Sequence, residues 1–298
     1  MINLRSVEAF YAVMRTGSVT QAARLLNVTQ PAVSIALQQL ERRLRLKLFD
    51  RVAGRLIPTV EARALLPDTV EIFGRLNAME RLSQDLAQGV RGSLSIAATP
   101  PLCDGVIANS IASFLKRRPN VNLSVQAIAS AVVVDRVISG EVDVGVVYEP
   151  VVSAAVQVEE VSQTMIGCLV PSSHRLARRR IVTVDDLAGE RIITYLPQAL
   201  LRPYVDRLLT DLNDPLRIQV LAGQSSTVIA LALERVGIAL IESSLFMMRP
   251  RRGFVLRPMS PEVRIKILVL RSQTSQHSHL AKAFIKHLRE VSPSAPIN

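Results

Sequence analysis

The chain has 298 residues, of which 49% are hydrophobic, so it can bury substantial cores and is expected to divide into two or more domains. Its 36 basic and 25 acidic residues give a net charge of +11, which favours an anionic partner such as nucleic acid. Two cysteines are too few for a disulfide framework, and neither a signal-peptide core nor a membrane-spanning apolar run occurs. We therefore expect a soluble, cytoplasmic protein.

Residues 1–60 carry the highest density of positive charge, with nine basic and three acidic side chains. A first helical pattern, NLRSVEAFYAVMRTG, ends at Gly17, because glycine readily adopts the left-handed conformation that follows many helices. A second helix is expected to begin at Ser18, where Gln21 can complete a capping box, and to end at Asn27. These signals predict two short, adjacent helices in a basic segment.

A third helix is predicted to follow directly, with Thr29 as its cap and Pro31 in its first turn, where the missing N–H costs nothing. Two short helices joined by a tight turn form a helix-turn-helix, and a plain three-helix bundle with incidental charge is the alternative. The next stretch, LFDRVAGRLIPT, predicts a hairpin that would act as a wing, with Gly54 at its tip and Arg51 and Arg55 beside it.

One face of the third helix carries an apolar residue where a soluble helix usually keeps charge. Val33, Leu37, Leu40 and Leu44 form an apolar stripe, and Ile35 falls almost opposite that stripe. The neighbouring polar side chains can hydrogen-bond to base edges or phosphates, and Ile35, or the methyl of Ala32, can meet a thymine methyl in the major groove. We therefore predict that this face and the wing contact double-stranded DNA. The predicted contacts are Ser18, Thr20, Gln30, Pro31, Ala32, Ser34, Ile35, Gln38, Arg51 and Arg55.

The first fifty residues resemble the N-terminal domain of LysR-type transcriptional regulators, with GSVTQAA, TQPAVS, LE and LFDR in the family's order and spacing. The chain length also agrees with that family. LFDRVAGRLIPT and VEAFYAVMRTG are most similar to the subgroup of the lysine-biosynthesis activator and the octopine and nopaline catabolism regulators. Ile35 departs from the family, which usually has arginine there, so a basic contact is missing. The resemblance implies a regulator that binds promoter DNA as a homodimer or homotetramer and responds to a small-molecule effector.

Residues 60–89 are predicted to form one long helix that links two domains. Its apolar side chains recur every seven residues, a spacing that suits pairing with a second helix. These residues are Leu65, Ile72, Met79 and Leu86. Packing on its own domain is the alternative, whereas the resemblance implies a linker helix that forms a homodimer. Pro67 is expected to kink this helix or to mark a restart near it.

The remaining two-thirds of the chain alternates strand and helix patterns. The order GSLSIAAT, DGVIANSIASFLKRR, NVNLSVQAI, AVVVDRVISG and VDVGVVYE indicates a parallel sheet with helices on both faces. A second unit runs from MIGCLVP to IALIE, and the final helix around SHLAKAFIKHLREV is expected to return to the first unit. Two such lobes resemble the family's effector domain, which shares the α/β architecture of periplasmic binding proteins. The predicted domains are a winged helix-turn-helix in 1–59, a linker helix in 60–89 and an effector domain in 90–298, with lobe I at about 90–162 and 264–298 and lobe II at about 163–263.

Polar side chains follow several predicted strands, where ligands bind in open α/β sheets. The resemblance places effector contacts in these same loops, and helix N-termini there would favour a carboxylate. The predicted effector-binding residues are Thr99, Pro100, Ser130, Tyr148, Tyr195, Ser225, Ser226 and Thr227. Ordinary helix capping by serine and threonine is the alternative reading. Glu149 could balance a ligand amine or could be a solvated surface carboxylate.

An enzyme and a solute-binding protein are the rival functions. No HExxH, CxxC, GxSxG or GxxxxGK motif occurs, and no metal or cofactor is expected. Cys103 follows a strand near the predicted cleft, but no histidine is near it in sequence, so an inert cysteine is favoured over a nucleophile. His277 and His279 lie in a polar stretch that favours solvated side chains over metal ligands. A pure solute-binding protein would leave the basic N-terminal segment unexplained. The resemblance to the amino-acid-responsive subgroup suggests an amino acid or opine-like effector.

Overall fold

A computed structural model describes residues 2–52, 55–88, 92–210, 217–248, 250–273 and 279–292. The chain divides into two compact units, Met1–Glu80 and Arg81–Asn298, which are treated separately below. No helix in the described ranges combines the length and the apolar character needed to cross a lipid bilayer.

The N-terminal unit is a small helical core with a two-stranded hairpin. In chain order its elements are α1 Leu4–Thr16, α2 Val19–Leu25, α3 Gln30–Leu44, β1 Phe49–Val52, β2 Arg55–Pro58 and α4 Val60–Gln88, whose last residues belong to the second unit. Small Ala22 and Ala23 are buried and allow α2 to approach its neighbours closely. Phe10, Val33 and Leu37 fill the space between α1, α2 and α3. The three predicted helices are therefore confirmed.

The helix ends follow most of the predicted capping signals. Gly17 ends α1 with φ of 66°, and Asn27 takes φ of 53° in the turn between α2 and α3. The Ser18 hydroxyl accepts a hydrogen bond from the Gln21 backbone N–H at 3.5 Å, which confirms half of the predicted capping box. Thr29 occupies the predicted cap position of α3, but its side chain makes no capping hydrogen bond.

The predicted hairpin is present, with β1 and β2 antiparallel and Phe49 opposite Pro58. The predicted tip residue, Gly54, lies outside the described residues. The Thr59 hydroxyl donates to the Lys47 carbonyl oxygen at 2.8 Å, and its oxygen accepts from the Ala62 backbone N–H at 3.2 Å. Thr59 therefore fixes the start of α4 against the base of the hairpin.

The first turns of α4 pack on the N-terminal core. Ala62 is fully buried there, and the Phe73 ring stacks on Tyr11 of α1 with centroids 5.4 Å apart. Ile72 and Met79 of the predicted stripe are 45% and 60% exposed, and the side chain of Leu86 lies outside the described residues. The beginning of the helix therefore packs on its own domain, while pairing with a second helix stays a prediction. The helix runs through Pro67 without a restart.

Within the described residues, the two lobes of the C-terminal unit share one 10-stranded sheet, of which eight strands form a continuous path and β7 and β11 lie beside it. Lobe I contains β3 Ser93–Ala98, α5 Pro100–Leu102, a π-helical turn at Cys103–Ile107, α6 Ala108–Arg117, β4 Asn122–Ala127, α7 Ser130–Ile138 and β5 Val144–Tyr148. The strand β6 Val156–Pro171 crosses into lobe II. Lobe II then contains β7 Val182–Thr183, β8 Ile192–Tyr195, α8 Arg202–Leu208, β9 Ile218–Ala222, α9 Ser225–Leu233, β10 Ile238–Glu242, α10 Ser243–Met248 and β11 Phe254–Ser260. The chain returns to lobe I through β12 Arg264–Ser272 and α11 His279–Val291.

Lobe I contains the predicted parallel sheet, because β3 pairs in parallel with both β4 and β5. Ile96 faces the core under α6 and α11, whereas the neighbouring Ala97 faces the second core, under α7. Helices therefore cover both faces, as the buried strands require. The final helix returns to lobe I as predicted: the rings of Phe114 and Phe284 meet edge to face at 5.3 Å.

Two antiparallel strands connect the lobes. β6 pairs with β12 as far as Met165 and then, from Ile166, with β10 and β11 of lobe II. The sequence pattern predicted only the second half of β6, which is the continuous apolar part. The first half alternates with exposed residues and is held by its pairing with β12.

Candidate functional site

The outward face of α3 exposes one large apolar side chain among amides. Ile35 is 55% exposed, while Val33 and Leu37 are buried on the opposite side of the helix. Gln30 and Gln38 are exposed, and the Gln30 amide nitrogen donates to the Ser34 hydroxyl at 3.1 Å. An exposed isoleucine flanked by hydrogen-bonding groups is a surface suited to base edges and thymine methyls.

The other predicted DNA contacts lie near this face or on the hairpin. Thr20, in the first turn of α2, is exposed, and Ser18, which caps α2, is half-buried. Pro31 and Ala32 are exposed in the first turn of α3. Arg51 and Arg55 belong to β1 and β2, but their side chains lie outside the described part of the chain.

Exposed basic side chains that sequence reasoning did not single out accompany α2 and α3. Arg24 is exposed on α2, and Arg42 and Arg43 are exposed in the last turn of α3. The Lys47 ammonium lies 2.6 Å from the Asp50 carboxylate and donates a hydrogen bond to it, which raises the pKa of Lys47. The charge density of residues 1–60 was the available signal for these cations, and exposed cations of this kind suit the phosphates of DNA.

A pocket of about 550 Å³ lies between the lobes of the C-terminal unit. Residues from both lobes line it, at the carboxyl ends of strands β3, β4, β8 and β9. The predicted residues on its wall are Thr99, Pro100, Ser130, Tyr195 and Ser225. Gln224, which belongs to the polar segment that the sequence placed after β9, also lines the pocket, and Gln198 adds an amide side chain that sequence reasoning did not assign to the site.

Three predicted effector residues do not line this pocket. Ser225 is the first residue of α9 and faces the pocket, but Ser226 and Thr227 are exposed beyond it, since each helical step turns the side chain by about 100°. Tyr148 ends β5 at the expected edge, yet its ring is fully buried in the core. The sequence placed all three near the correct edge without resolving the direction of each side chain.

The pocket wall favours an anion although it has no charged side chain among its lining residues. The nine-residue helices α7 and α9 both begin at the wall, so their free N–H groups and positive dipole ends lie there. The Thr99 hydroxyl oxygen is buried, and no hydrogen-bond partner for it occurs among the described residues. These groups offer hydrogen-bond donors to a carboxylate.

A hydrogen-bond chain leads from the pocket wall into the protein. The Tyr195 hydroxyl lies 2.9 Å from the Ser225 hydroxyl and accepts from the Glu242 backbone N–H at 3.3 Å. Burial raises the pKa of Tyr195, and the nearby Glu242 carboxylate raises it further, so the phenol keeps its proton. Glu242 is the last residue of β10, as Tyr195 is the last residue of β8. A polar residue at the end of a strand was therefore present as a signal, but sequence reasoning did not select Glu242.

Glu149 and Cys103 have different environments from those that a ligand-binding acid or a nucleophile needs. Glu149 does not line the pocket; one carboxylate oxygen accepts from the Lys266 backbone N–H at 3.2 Å.

The Cys103 thiol donates to the Ala98 and Gln126 carbonyl oxygens, and burial raises its pKa to about 11. A protonated thiol is a poor nucleophile, which supports the inert reading of Cys103. His279 is the exposed first residue of α11, and His277 lies outside the described residues.

Comparisons with known proteins identify the family of both parts of the chain. Residues 4–63 match the bacterial regulatory helix-turn-helix model of the lysR family, and residues 87–293 match the LysR substrate binding domain. The chain is 30% identical to the transcriptional activator protein LysR of Escherichia coli over 98% of this chain and 94% of that protein. It is 33% identical to the octopine catabolism/uptake operon regulatory protein OccR of Rhizobium meliloti, over 95% and 94% of the two chains. Its fold matches full-length CbnR in complex with its target DNA with a TM-score of 0.57 at 20% identity, over 98% and 100% of the chains. The chain therefore belongs to the LysR family and is a DNA-binding transcriptional regulator with an effector-binding domain.

Proposed function

We propose that this regulator binds promoter DNA in the cytoplasm as a homodimer or homotetramer and responds to a small carboxylate effector, an amino acid or an opine-like compound, without enzymatic activity of its own. The pocket between the lobes carries this proposal, because both lobes contribute hydroxyls and two helix N-termini to it. An effector that contacts both lobes stabilises one arrangement of them relative to others. The regulation of octopine uptake by one relative supports the opine-like class.

The proposed DNA-binding domain comprises residues 1–59, followed by the linker helix 60–89 and the effector domain 90–298. The exposed Ile72 and Met79 of α4 support pairing of two linker helices, since uncovered apolar side chains at heptad spacing suit a partner helix. A helix-turn-helix dimer reads two half-sites about one helical turn apart. CbnR, whose fold this chain shares, has been crystallised with its target DNA.

The proposed base contacts are on the first half of α3, and the proposed phosphate contacts flank them. Gln30, Pro31, Ala32, Ser34, Ile35 and Gln38 would enter the major groove. Ser18 and Thr20 at the start of α2 would contact the backbone, and Arg51 and Arg55 would act from the wing on the backbone or the minor groove.

Changing Ile35 to arginine is expected to change the preferred base at one position of each half-site. The isoleucine side chain is exposed and suits a thymine methyl, whereas arginine prefers the two acceptors of guanine. A correct base contact of this kind discriminates by about 1–3 kcal/mol, which selection of binding sites from random DNA detects easily. Lys47→Ala is the control, because that side chain lies after α3 and should weaken binding equally on all sequences. An unchanged preferred site for Ile35→Arg would place Ile35 outside the groove.

The proposed effector contacts are Thr99, Pro100, Ser130, Tyr195 and Ser225, which share the pocket wall. Thr99→Ala and Ser130→Ala are each expected to weaken effector binding by about 1–3 kcal/mol, the cost of removing one hydrogen-bond partner from a buried polar group. Promoter affinity without effector should stay nearly unchanged, because neither residue belongs to the N-terminal unit.

Fluorescence anisotropy of labelled promoter DNA, titrated with L-amino acids and with octopine, measures both quantities. Ser226→Ala is the matched control, since this serine is exposed one residue beyond the pocket wall. If both pocket variants respond at the same effector concentration as the parent, the effector binds elsewhere.

A further inference from the structure

One edge of lobe II brings two arginine-rich segments of the chain side by side. The first is the connection between β6 and β7, and the second is the turn that precedes β11, with which β7 pairs in parallel. The Ser172 backbone N–H donates to the Gly253 carbonyl oxygen at 2.8 Å, and the Arg257 guanidinium donates to the Ala177 carbonyl oxygen at 2.7 Å. The two segments are therefore held together beside β11.

Some of the arginines on this edge have partners within the protein, and others do not. The Arg175 guanidinium lies 2.8 Å from the Glu190 carboxylate, and the Arg179 guanidinium lies 3.0 Å from the Asp186 carboxylate. Four further arginines are exposed, and no ion pair with them occurs within the described ranges. These four residues, which we call the arginine edge, are Arg178, Arg180, Arg251 and Arg252.

The charge of the arginine edge points outward, to an anion. Neither of the two segments contains an acidic residue, so positive charge is concentrated here and raises the local potential. All four residues are arginine, whose planar guanidinium forms paired hydrogen bonds with a phosphate, whereas lysine acts as a point charge. The arginine edge therefore suits phosphate groups.

Duplex DNA fits this edge better than the acidic surface of another protein does. Protein interfaces centre on buried apolar or aromatic anchors, and Ile181 is the one large apolar side chain exposed in the described residues of the two segments. Phosphate contacts need no such anchor. The chain also binds DNA through its N-terminal unit, so the DNA beside that site is held near the same molecule at high effective concentration.

We propose that the arginine edge of lobe II contacts the phosphate backbone of the DNA that flanks the two half-sites. The contact adds affinity without reading sequence, because every base pair presents the same phosphates. The inference rests on DNA binding by the N-terminal unit and is independent of the proposed effector pocket. It gives the effector domain a second task besides ligand binding.

The test measures binding of the full-length protein to two labelled promoter fragments at several salt concentrations. The short fragment ends directly outside the half-sites, and the long one continues for about three helical turns, roughly 30 bp, on each side. The parent should bind the long fragment more tightly, with a plot of log affinity against log salt that is steeper by about 0.9 for each phosphate contacted. Four contacts in one protomer would add about 3.6 to that slope. Randomising the flanking sequence should leave the difference between the fragments unchanged.

The quadruple variant R178Q/R180Q/R251Q/R252Q removes the charge of the arginine edge. We expect it to keep the parent's affinity and salt slope on the short fragment and to lose most of the advantage of the long one. A matched control removes four exposed cations from α6 and α11 of lobe I instead, and it should keep that advantage. The control variant is K116Q/R117Q/K282Q/K286Q.

Equal salt slopes of the parent on the two fragments overturn the proposal, and this comparison does not depend on the folding of any variant. An equal loss in the quadruple variant and in its control also overturns it, because net charge rather than position then sets the difference. If the quadruple variant keeps the preference for the long fragment but changes transcription in vitro, the edge serves an acidic protein surface instead of DNA. Binding to the short fragment tests the proposed base contacts of α3 separately, so the two claims can fail independently.

Discussion

Replacing Phe10 by alanine is expected to destabilise the N-terminal unit by about 3–5 kcal/mol, the usual cost of removing a buried phenylalanine ring. The Phe10 side chain is 1% exposed, and its ring lies 5.9 Å from that of Phe49 at the start of the hairpin. Val33 and Leu37 of α3 belong to the same core, so the cavity would loosen the helix that carries the proposed DNA-contacting face. Promoter binding should fall sharply, whereas ligand binding by the C-terminal unit should persist.

Amide hydrogen exchange resolved by residue measures this effect in each unit separately. Protection of α1 and α3 should fall by two to three orders of magnitude or more, following the free energy of opening. Ile35→Ala is the control, because that side chain is exposed and contributes nothing to the core. Normal protection and normal promoter affinity in Phe10→Ala would mean that the core does not depend on this ring.

Replacing Gly237 by alanine is expected to destabilise lobe II by about 3 kcal/mol, at the upper end of the cost of overpacking. An added Cβ would lie 2.3 Å from the Arg191 carbonyl oxygen, a backbone atom that has little freedom to move. The same oxygen accepts the Ile238 backbone N–H at 2.9 Å, which begins the parallel pairing of β10 with β8. Relief of the clash therefore separates the two strands that end at Tyr195 and Glu242.

Urea unfolding of the full-length protein, combined with hydrogen exchange at Ile238, tests this expectation. Gly223→Ala is the control, since its added Cβ would have only an ordinary contact with Leu196 at 3.7 Å. The control should unfold at nearly the parent's urea concentration. If the two alanine variants are equally stable, β8 and β10 are farther apart than the structure indicates.

Local signals predicted the N-terminal unit well because its structure depends on neighbours in sequence. Gly17 and Asn27 need a left-handed backbone whatever surrounds them, and the stripe from Val33 to Leu40 fixes which side of α3 is buried. Thr29 was the exception: its position at the cap was predicted, but whether its hydroxyl bonds depends on its rotamer.

The candidate effector site could be predicted to the level of strand ends and no further. The rule that ligands bind at the carboxyl edge of parallel strands placed Thr99, Ser130 and Tyr195 near one another, and all three line the pocket. Burial of Tyr148 and exposure of Ser226 depend on the pitch of one strand and the rotation of one helix, which the sequence pattern does not fix.

The shared strand β6 has a mechanical consequence for movement of the lobes. It pairs with β12 in lobe I and with β10 and β11 in lobe II, so the connection is a hydrogen-bonded ribbon rather than a free loop. Ile267 pairs with Ser162 and Leu268 with Glu160, which leaves Val161 as an extra residue, and such a bulge is where a ribbon bends most easily. A ligand that draws the lobes together would have to bend this ribbon, and the bulge at Val161 is where the bend would concentrate. The energy of such a bend would be subtracted from the affinity that the ligand's contacts give.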